Sequence, residues 1–191
     1  MALRLTIAHR SRPKSGEQEN GDIALVRQEG AHTLLAVVDA LGHGPVAARV
    51  ASDAARCLEQ QSLSGGVGPV VDALHAALRN GRGAAVMLGL FDGHTLHCAG
   101  VGNVELRSRG TKVPVIPTPG ILGQSMRSLR TASAPLQHGD RLVFFSDGLS
   151  FRLDLEPTRS LPPGEACALL MERYARTTDD ATVLVADVET V

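Results

Sequence analysis

Five apolar residues, Leu34 to Val38, run without interruption into a carboxylate, Asp39, and then into the glycine turn Gly42-His43-Gly44. An apolar run of this kind, with two valines, reads as a strand covered on both faces, so the chain must supply a layer on each side of it. Pro45 suits the first turn of a helix. Ala47, Ala48, Val50, Ala51, Ala54, Ala55 and Leu58 follow at helical spacing, which predicts a helix over 45–61. Asp39 thus stands at a strand-to-helix corner. An ionised carboxylate at the end of a buried strand is costly unless donors or a cation meet it there. It either caps the helix or belongs to a site.

The flanking sequence repeats the pattern. Residues 3–8 alternate, with Leu3, Leu5 and Ile7 on one face, and predict a half-buried strand; the basic, polar stretch 10–16 predicts a loop. Asp22 opens a strand over 23–27, and the turn at Glu29-Gly30 makes a hairpin with the 34–38 strand. In that antiparallel pair Asp22 and Asp39 lie side by side. A linker, S-L-S-G-G-V-G-P, leads to a predicted amphipathic helix over 69–80, ended by Gly81 and Gly83. Strands follow over 84–91 and 95–101, joined by Asp92-Gly93, then over 105–109, 113–116 and 128–135. The stretch 117–123 reads as a stiff, turn-rich loop, with Gly120 and Gly123 shaping it. A second buried strand, R-L-V-F-F-S, ends on Asp147, and a helix over 164–174 precedes a last apolar strand opened by Asp179 and Asp180.

Composition narrows the function classes. At 191 residues the chain is expected to form one domain, 1–191, with a real core. Net charge is −1 with both signs interspersed, so there is no electrostatic footprint for nucleic acid. Four Phe, one Tyr and no Trp leave no stacking platform for bases. Cys57, Cys98 and Cys167 are widely spaced and odd in number, and read as small core hydrophobes in a reducing compartment. No segment reads as a leader or a membrane span. The expectation is a cytoplasmic monomer that binds neither nucleic acid nor membrane.

Asp22, Asp39, Asp147 and Asp179 (or Asp180) each border an apolar strand. Carboxylates brought together repel and raise each other's pKa unless cations neutralise them. An all-oxygen ligand set suits hard divalent ions, Mg²⁺ or Mn²⁺, over zinc. Two such ions ~3.5–4 Å apart activate water and hold a phosphoryl group for in-line attack.

The strings V-V-D-A-L-G-H-G, F-S-D-G-L and D-D-A-T-V-L-V, in this order, resemble the signature blocks of the metal-dependent serine/threonine protein phosphatases of the PPM family, in their SpoIIE-like branch. R-G-A at 82–84 and C-A-G-V-G-N-V at 98–104 bring the chain nearest to the short RsbX-like members, and the resemblance spans about 16–187. It implies an α+β fold, a four-layer α-β-β-α sandwich of two antiparallel sheets flanked by helix pairs, with the metal site at one edge. It implies two cations, Mn²⁺ or Mg²⁺, with Asp39 bridging both. The carbonyl of Ala40 and Asp22 would serve the second ion, and Asp147 and Asp179 the first. Asp39 and Asp147 would stand at the reacting centre, and a bridging water would be the nucleophile. The implied substrate is phosphoserine or phosphothreonine on a small STAS-domain regulator of a stress-signalling complex.

The chain departs from the family pattern at three places. Ala40 replaces the usual glycine after the bridging aspartate; Leu41 stands where animal members have their proposed acid histidine, with His43 two residues on; and Glu17 stands where those members have a phosphate-binding arginine. Lys14 and Arg12, in the loop, are the candidates to replace that arginine. Asn103 reads as a turn residue, and Asp180 as a support for its neighbour. Asp179 comes only 32 positions after Asp147, which leaves little room for a flap, so an open, shallow cleft is expected. Two other readings stay open: a phosphatase-like module that docks a partner without catalysis, and a two-metal phosphohydrolase acting on small molecules.

Overall fold

A computed structural model describes residues 2–191. In chain order the strands are β1 (Leu3–Arg12), β2 (Asp22–Glu29), β3 (His32–Ala40), β4 (Ala84–Phe91), β5 (Thr95–Val101), β6 (Glu105–Arg109), β7 (Gly120–Ile121), β8 (Ser125–Met126), β9 (Thr131–Pro135), β10 (Arg141–Phe145) and β11 (Ala181–Thr190). The helices are α1 (Gly44–Gln60), α2 (Val67–Ala77) and α3 (Pro163–Tyr174), with a short 3₁₀ turn at Glu156–Thr158.

Two antiparallel sheets carry the fold. One runs β1-β11-β10-β6, the other β2-β3-β4-β5-β9, and β7-β8 form a small separate hairpin. Alternation along β3 shows how they stack. Leu34, Ala36 and Val38 face a core shared with Ala47, Val50, Leu58, Val70 and Leu74 of α1, α2 and their connections. Leu35 and Val37 face the opposite way, into a core with Leu142, Phe144, Leu184 and Ala186 of the other sheet. That second sheet turns Val143, Phe145 and Val185 outward onto Ala166, Cys167 and Leu170 of α3. The layers are therefore α-β-β-α, and the fully buried 34–38 run is the strand that needs apolar neighbours on both sides.

The helical layers are unequal. The expected helix pairs are present only over the β3 sheet. The other sheet carries α3 and the 3₁₀ turn, because the 148–163 segment spends its residues on turns and three prolines. Three further expectations change. The polar residues 10–12, expected in a loop, extend β1, which pairs with β11 as far as Arg12–Ala181. As an edge strand it can carry polar side chains that a central strand cannot. Residues 113–116 form no strand, since Pro114 and Pro117 remove ladder donors. The 117–123 loop contains half of the β7-β8 hairpin, fastened to β4 by paired backbone bonds between Ala84 and Leu122. No helix among the described residues is long and apolar enough to cross a membrane.

Candidate metal centre

β2 and β3 pair with Asp22 directly opposite Asp39, at one end of their sheet. In the other sheet β10 and β11 pair with Phe145 opposite Val183. Asp147, just past the end of β10, and Asp179, just before the start of β11, therefore emerge together. Ser146 joins the two pairs: its Oγ donates to Asp22 Oδ2 at 2.5 Å and accepts from Thr182 N at 3.0 Å. Nothing in the sequence patterning singled Ser146 out; its only signal is a polar residue closing an apolar strand just before an aspartate.

The cluster is electrostatically strained. Burial, followed by the charges of Asp22, Asp147 and Asp179, pushes Asp39 up to about 9. Asp22 goes up to about 7, mainly by burial, with the Ser146 hydroxyl pulling it back and the charges of Asp180 and Asp147 pushing further. Asp147 is raised by burial and by Asp179. It lies within hydrogen-bonding reach of Asp39, which keeps the proton of the pair. Asn103, read from sequence as a turn residue, also donates its Nδ2–H to Asp147 Oδ2 at 2.6 Å.

Asp179 and Asp180 have separate surroundings. Asp180 is buried and accepts backbone N–H bonds from Lys14 at 2.7 Å and Gly21 at 2.8 Å, so both its oxygens tie the 13–21 loop to β11. Asp179 is half-buried and accepts only from the N–H of Asp180, at 3.0 Å. Gly148 presses the strand ends together: a Cβ there would stand 1.8 Å from the Asp180 carbonyl oxygen. Ala40 donates its N–H to the Gly21 carbonyl at 3.0 Å, and no non-glycine residue among those described has positive φ, so alanine fits this corner without strain.

The donor set fits hard divalent cations. All its side-chain atoms are carboxylate oxygens, and among the described residues none of Asp22, Asp39, Asp147 and Asp179 pairs with a Lys, Arg or His. No three Asp, Glu, His or Cys side chains among the described residues are gathered closely enough to hold an ion as they stand. A cation of high charge would offset the repulsion among them and displace the Asp39 proton.

The expected phosphate grip and acid are occupied elsewhere. Arg12 Nη2 donates to the carbonyls of Ala175 at 3.1 Å and Arg176 at 3.2 Å. Lys14 Nζ lies 2.9 Å from His43 Nε2, whose Nδ1 lies 2.9 Å from Glu17 Oε1. Glu17 thus holds His43 at the start of α1, where a carboxylate also meets the favourable helix dipole. Gly123 faces α2, its N–H on His75 Nδ1 at 3.2 Å, rather than the carboxylates.

A family model described as Stage II sporulation protein E (SpoIIE) matches residues 29–189. The chain belongs to the SpoIIE family. The match places it in the SpoIIE/RsbX branch of the PPM phosphatases, with the fold of PP2C-type protein serine/threonine phosphatases. A solved structure described under the words "The bacterial stressosome: a modular system that has been adapted to control secondary messenger signaling" is 33% identical with a TM-score of 0.90. That likeness covers 96% of this chain and 99% of the other. RsbX in complex with magnesium superimposes with a TM-score of 0.84 at 20% identity, covering 97% of this chain and 96% of that one. The catalytic domain of the serine/threonine phosphatase PstP with two manganese ions gives 0.72 at 21%, over 98% and 100%. A comparison with curated proteins gives no match.

Proposed function

We propose that this SpoIIE-family chain is a Mn²⁺- or Mg²⁺-dependent phosphatase that hydrolyses phosphoserine or phosphothreonine on a bacterial signalling protein. The observation that carries the reading is the convergence of Asp22 and Asp39 from one sheet with Asp147 and Asp179 from the other, without a cationic partner. Asp39 would bridge two cations, with Ala40 O and Asp22 on the second and Asp147 and Asp179 on the first. Bound there, the ions would supply a hydroxide-like nucleophile and charge for the phosphoryl oxygens. Asp39 would give up its proton as they bind; Ser146 and Asn103 would orient Asp22 and Asp147; and Asp180 would keep the 13–21 loop against the site. His43, held between Glu17 and Lys14, is not free to protonate a leaving group, which suits a solvent proton donor.

The proposed substrate is a phosphorylated STAS-domain regulator of a stressosome-type complex, met by a cytoplasmic, monomeric, single-domain enzyme. The short stretch between Asp147 and Asp179 supports that choice: its one α-helix, α3, packs on β1 and β11, on the outer face of the sheet, and Arg176 beyond it acts on Asp147. An open site accepts a phosphoresidue presented on a folded surface. Hydrolysis of para-nitrophenyl phosphate with and without Mn²⁺, and mass spectrometry of phosphorylated STAS proteins, test the two levels. Metal-stimulated turnover lost in Asp39→Asn is expected. No turnover at all, with no heat of Mn²⁺ binding, would favour the alternative of a phosphatase-like docking module, the reading that fits carboxylates spread beyond ligand distance.

A further inference from the structure

A two-cation phosphatase site also needs a positive group for the phosphoryl oxygens, and Arg12 and Lys14 are spent elsewhere. On the other side of the 40–44 turn stands Arg82. Its main chain is clamped: Gln124 Nε2 donates to its carbonyl at 2.6 Å, Leu41 N donates to Gly83 O at 3.0 Å, and Ala84 exchanges both backbone bonds with Leu122. Gly83 adopts φ +84°, and a Cβ there would stand 2.4 Å from the Leu122 carbonyl oxygen, so only glycine closes this turn. The side chain is the reverse. It is exposed, and among the described residues its guanidinium makes no ion pair or hydrogen bond. Its Nη1 sits 2.8 Å from where a Cβ on Gly42 would be, so the glycine leaves a seat for it, three residues past Asp39.

We propose that Arg82 is the phosphate-gripping residue of this site, replacing the arginine whose place Glu17 takes; the proposal rests on the phosphatase reading above. A clamped backbone under a free guanidinium fork loses little further freedom when it binds an anion, and the fork matches two phosphate oxygens. Among the described residues it pairs with no carboxylate, leaving its charge for an incoming ligand.

The test uses inorganic phosphate as the probe, with the full chain in Mg²⁺. Arg82→Ala is expected to raise the KM for para-nitrophenyl phosphate and the inhibition constant of phosphate by ~10–100-fold, the range for losing a charge-assisted hydrogen bond. It should also abolish the rise in melting temperature that phosphate causes, while leaving the rise caused by Mg²⁺ alone unchanged. Arg82→Lys should recover part of the phosphate effect, and Arg79→Ala, an exposed control in the preceding turn, should change nothing. Unaltered KM, inhibition and phosphate shift in Arg82→Ala would overturn the proposal, as would loss of the Mg²⁺ shift, which marks a structural role. If the wild type hydrolyses nothing, the phosphatase reading fails by itself, and the phosphate-induced melting shift alone decides on Arg82: loss in Arg82→Ala supports it, no shift or no loss overturns it.

Discussion

Asp22 and Asp39 face each other across one strand pair, yet their removal should have different consequences. If Asp39 touches both cations and Asp22 one, excess metal can offset only the second loss by mass action. Asp22→Ala activity should recover in part at millimolar Mn²⁺, and Asp39→Ala activity should not. In EDTA, Asp39→Ala should melt no lower than wild type, because folding no longer has to bury and protonate that carboxyl among its like-charged neighbours. Added Mn²⁺ should raise the wild-type midpoint and barely move that of Asp39→Ala; a full metal-induced shift in the variant would reduce Asp39 to a helix cap. Ser146 offers a subtler test. Its hydroxyl is the buried donor to Asp22 and the acceptor for Thr182 N. Ser146→Ala should cost about 1–3 kcal/mol of stability in denaturant titration, the penalty for leaving such partners unsatisfied. It should also weaken Mn²⁺ binding in calorimetry, and an unchanged isotherm would remove Ser146 from the site.

At the scale of elements, the ends of β10 and β11 are held by contact rather than by bonding alone. Gly148→Ala would drive a methyl group into the Asp180 carbonyl, so it should destabilise by more than ~3 kcal/mol or prevent folding. Gly164→Ala, in α3 with open space around it, should instead gain roughly 0.5 kcal/mol. Equal melting temperatures for the two variants would show that the strand ends are not in that contact. The same contrast explains which elements could be read from the sequence. β3, β4, β10 and β11 announce themselves because each carries a buried apolar run, at 34–38, 84–91, 142–145 and 183–186. The polar end of β1 does not, since its pairing is dictated by a partner distant in the chain, and the β7-β8 hairpin is only two residues a side and leans on a bridge to distant Ala84. Within the site, the aspartates were legible from the apolar runs they border. What Asp180 does was left to a general supporting role, because its partners, the N–H groups of Lys14 and Gly21, lie far away in sequence. Ser146 and Arg82 lie in the F-S-D-G-L and R-G-A strings, but their roles depend on partners equally distant in the chain.

For the whole molecule, the strained carboxylates set a pH dependence. In the folded, metal-free protein Asp22 and Asp39 keep their protons up to about 7 and 9, whereas unfolded carboxyls lose theirs near ~4. The folded state therefore binds more protons across that window, and the stability this confers is complete below about pH 4 and lost as pH rises through 7 and 9. In EDTA the melting temperature should fall between pH 5 and 9, and Asp39→Asn should flatten the slope; a rise over that range would contradict the shifts. With Mg²⁺ present the slope should shrink, because cations compete for the same oxygens. The origin of those oxygens has a mechanical side as well. Two come from the β2-β3 edge and two from β10-β11, so an ion lodged among them would rivet two sheets that elsewhere touch only through apolar side chains. At that end the protein's own ties are Ser146 on Asp22 and Asp180 on the Lys14 and Gly21 amides, and an ion would add a cross-link to them. Amide exchange at Gly21, Asp22 and Thr182 should slow sharply when Mn²⁺ is added, while Leu88 and Phe144, deep in the layers, should hardly notice.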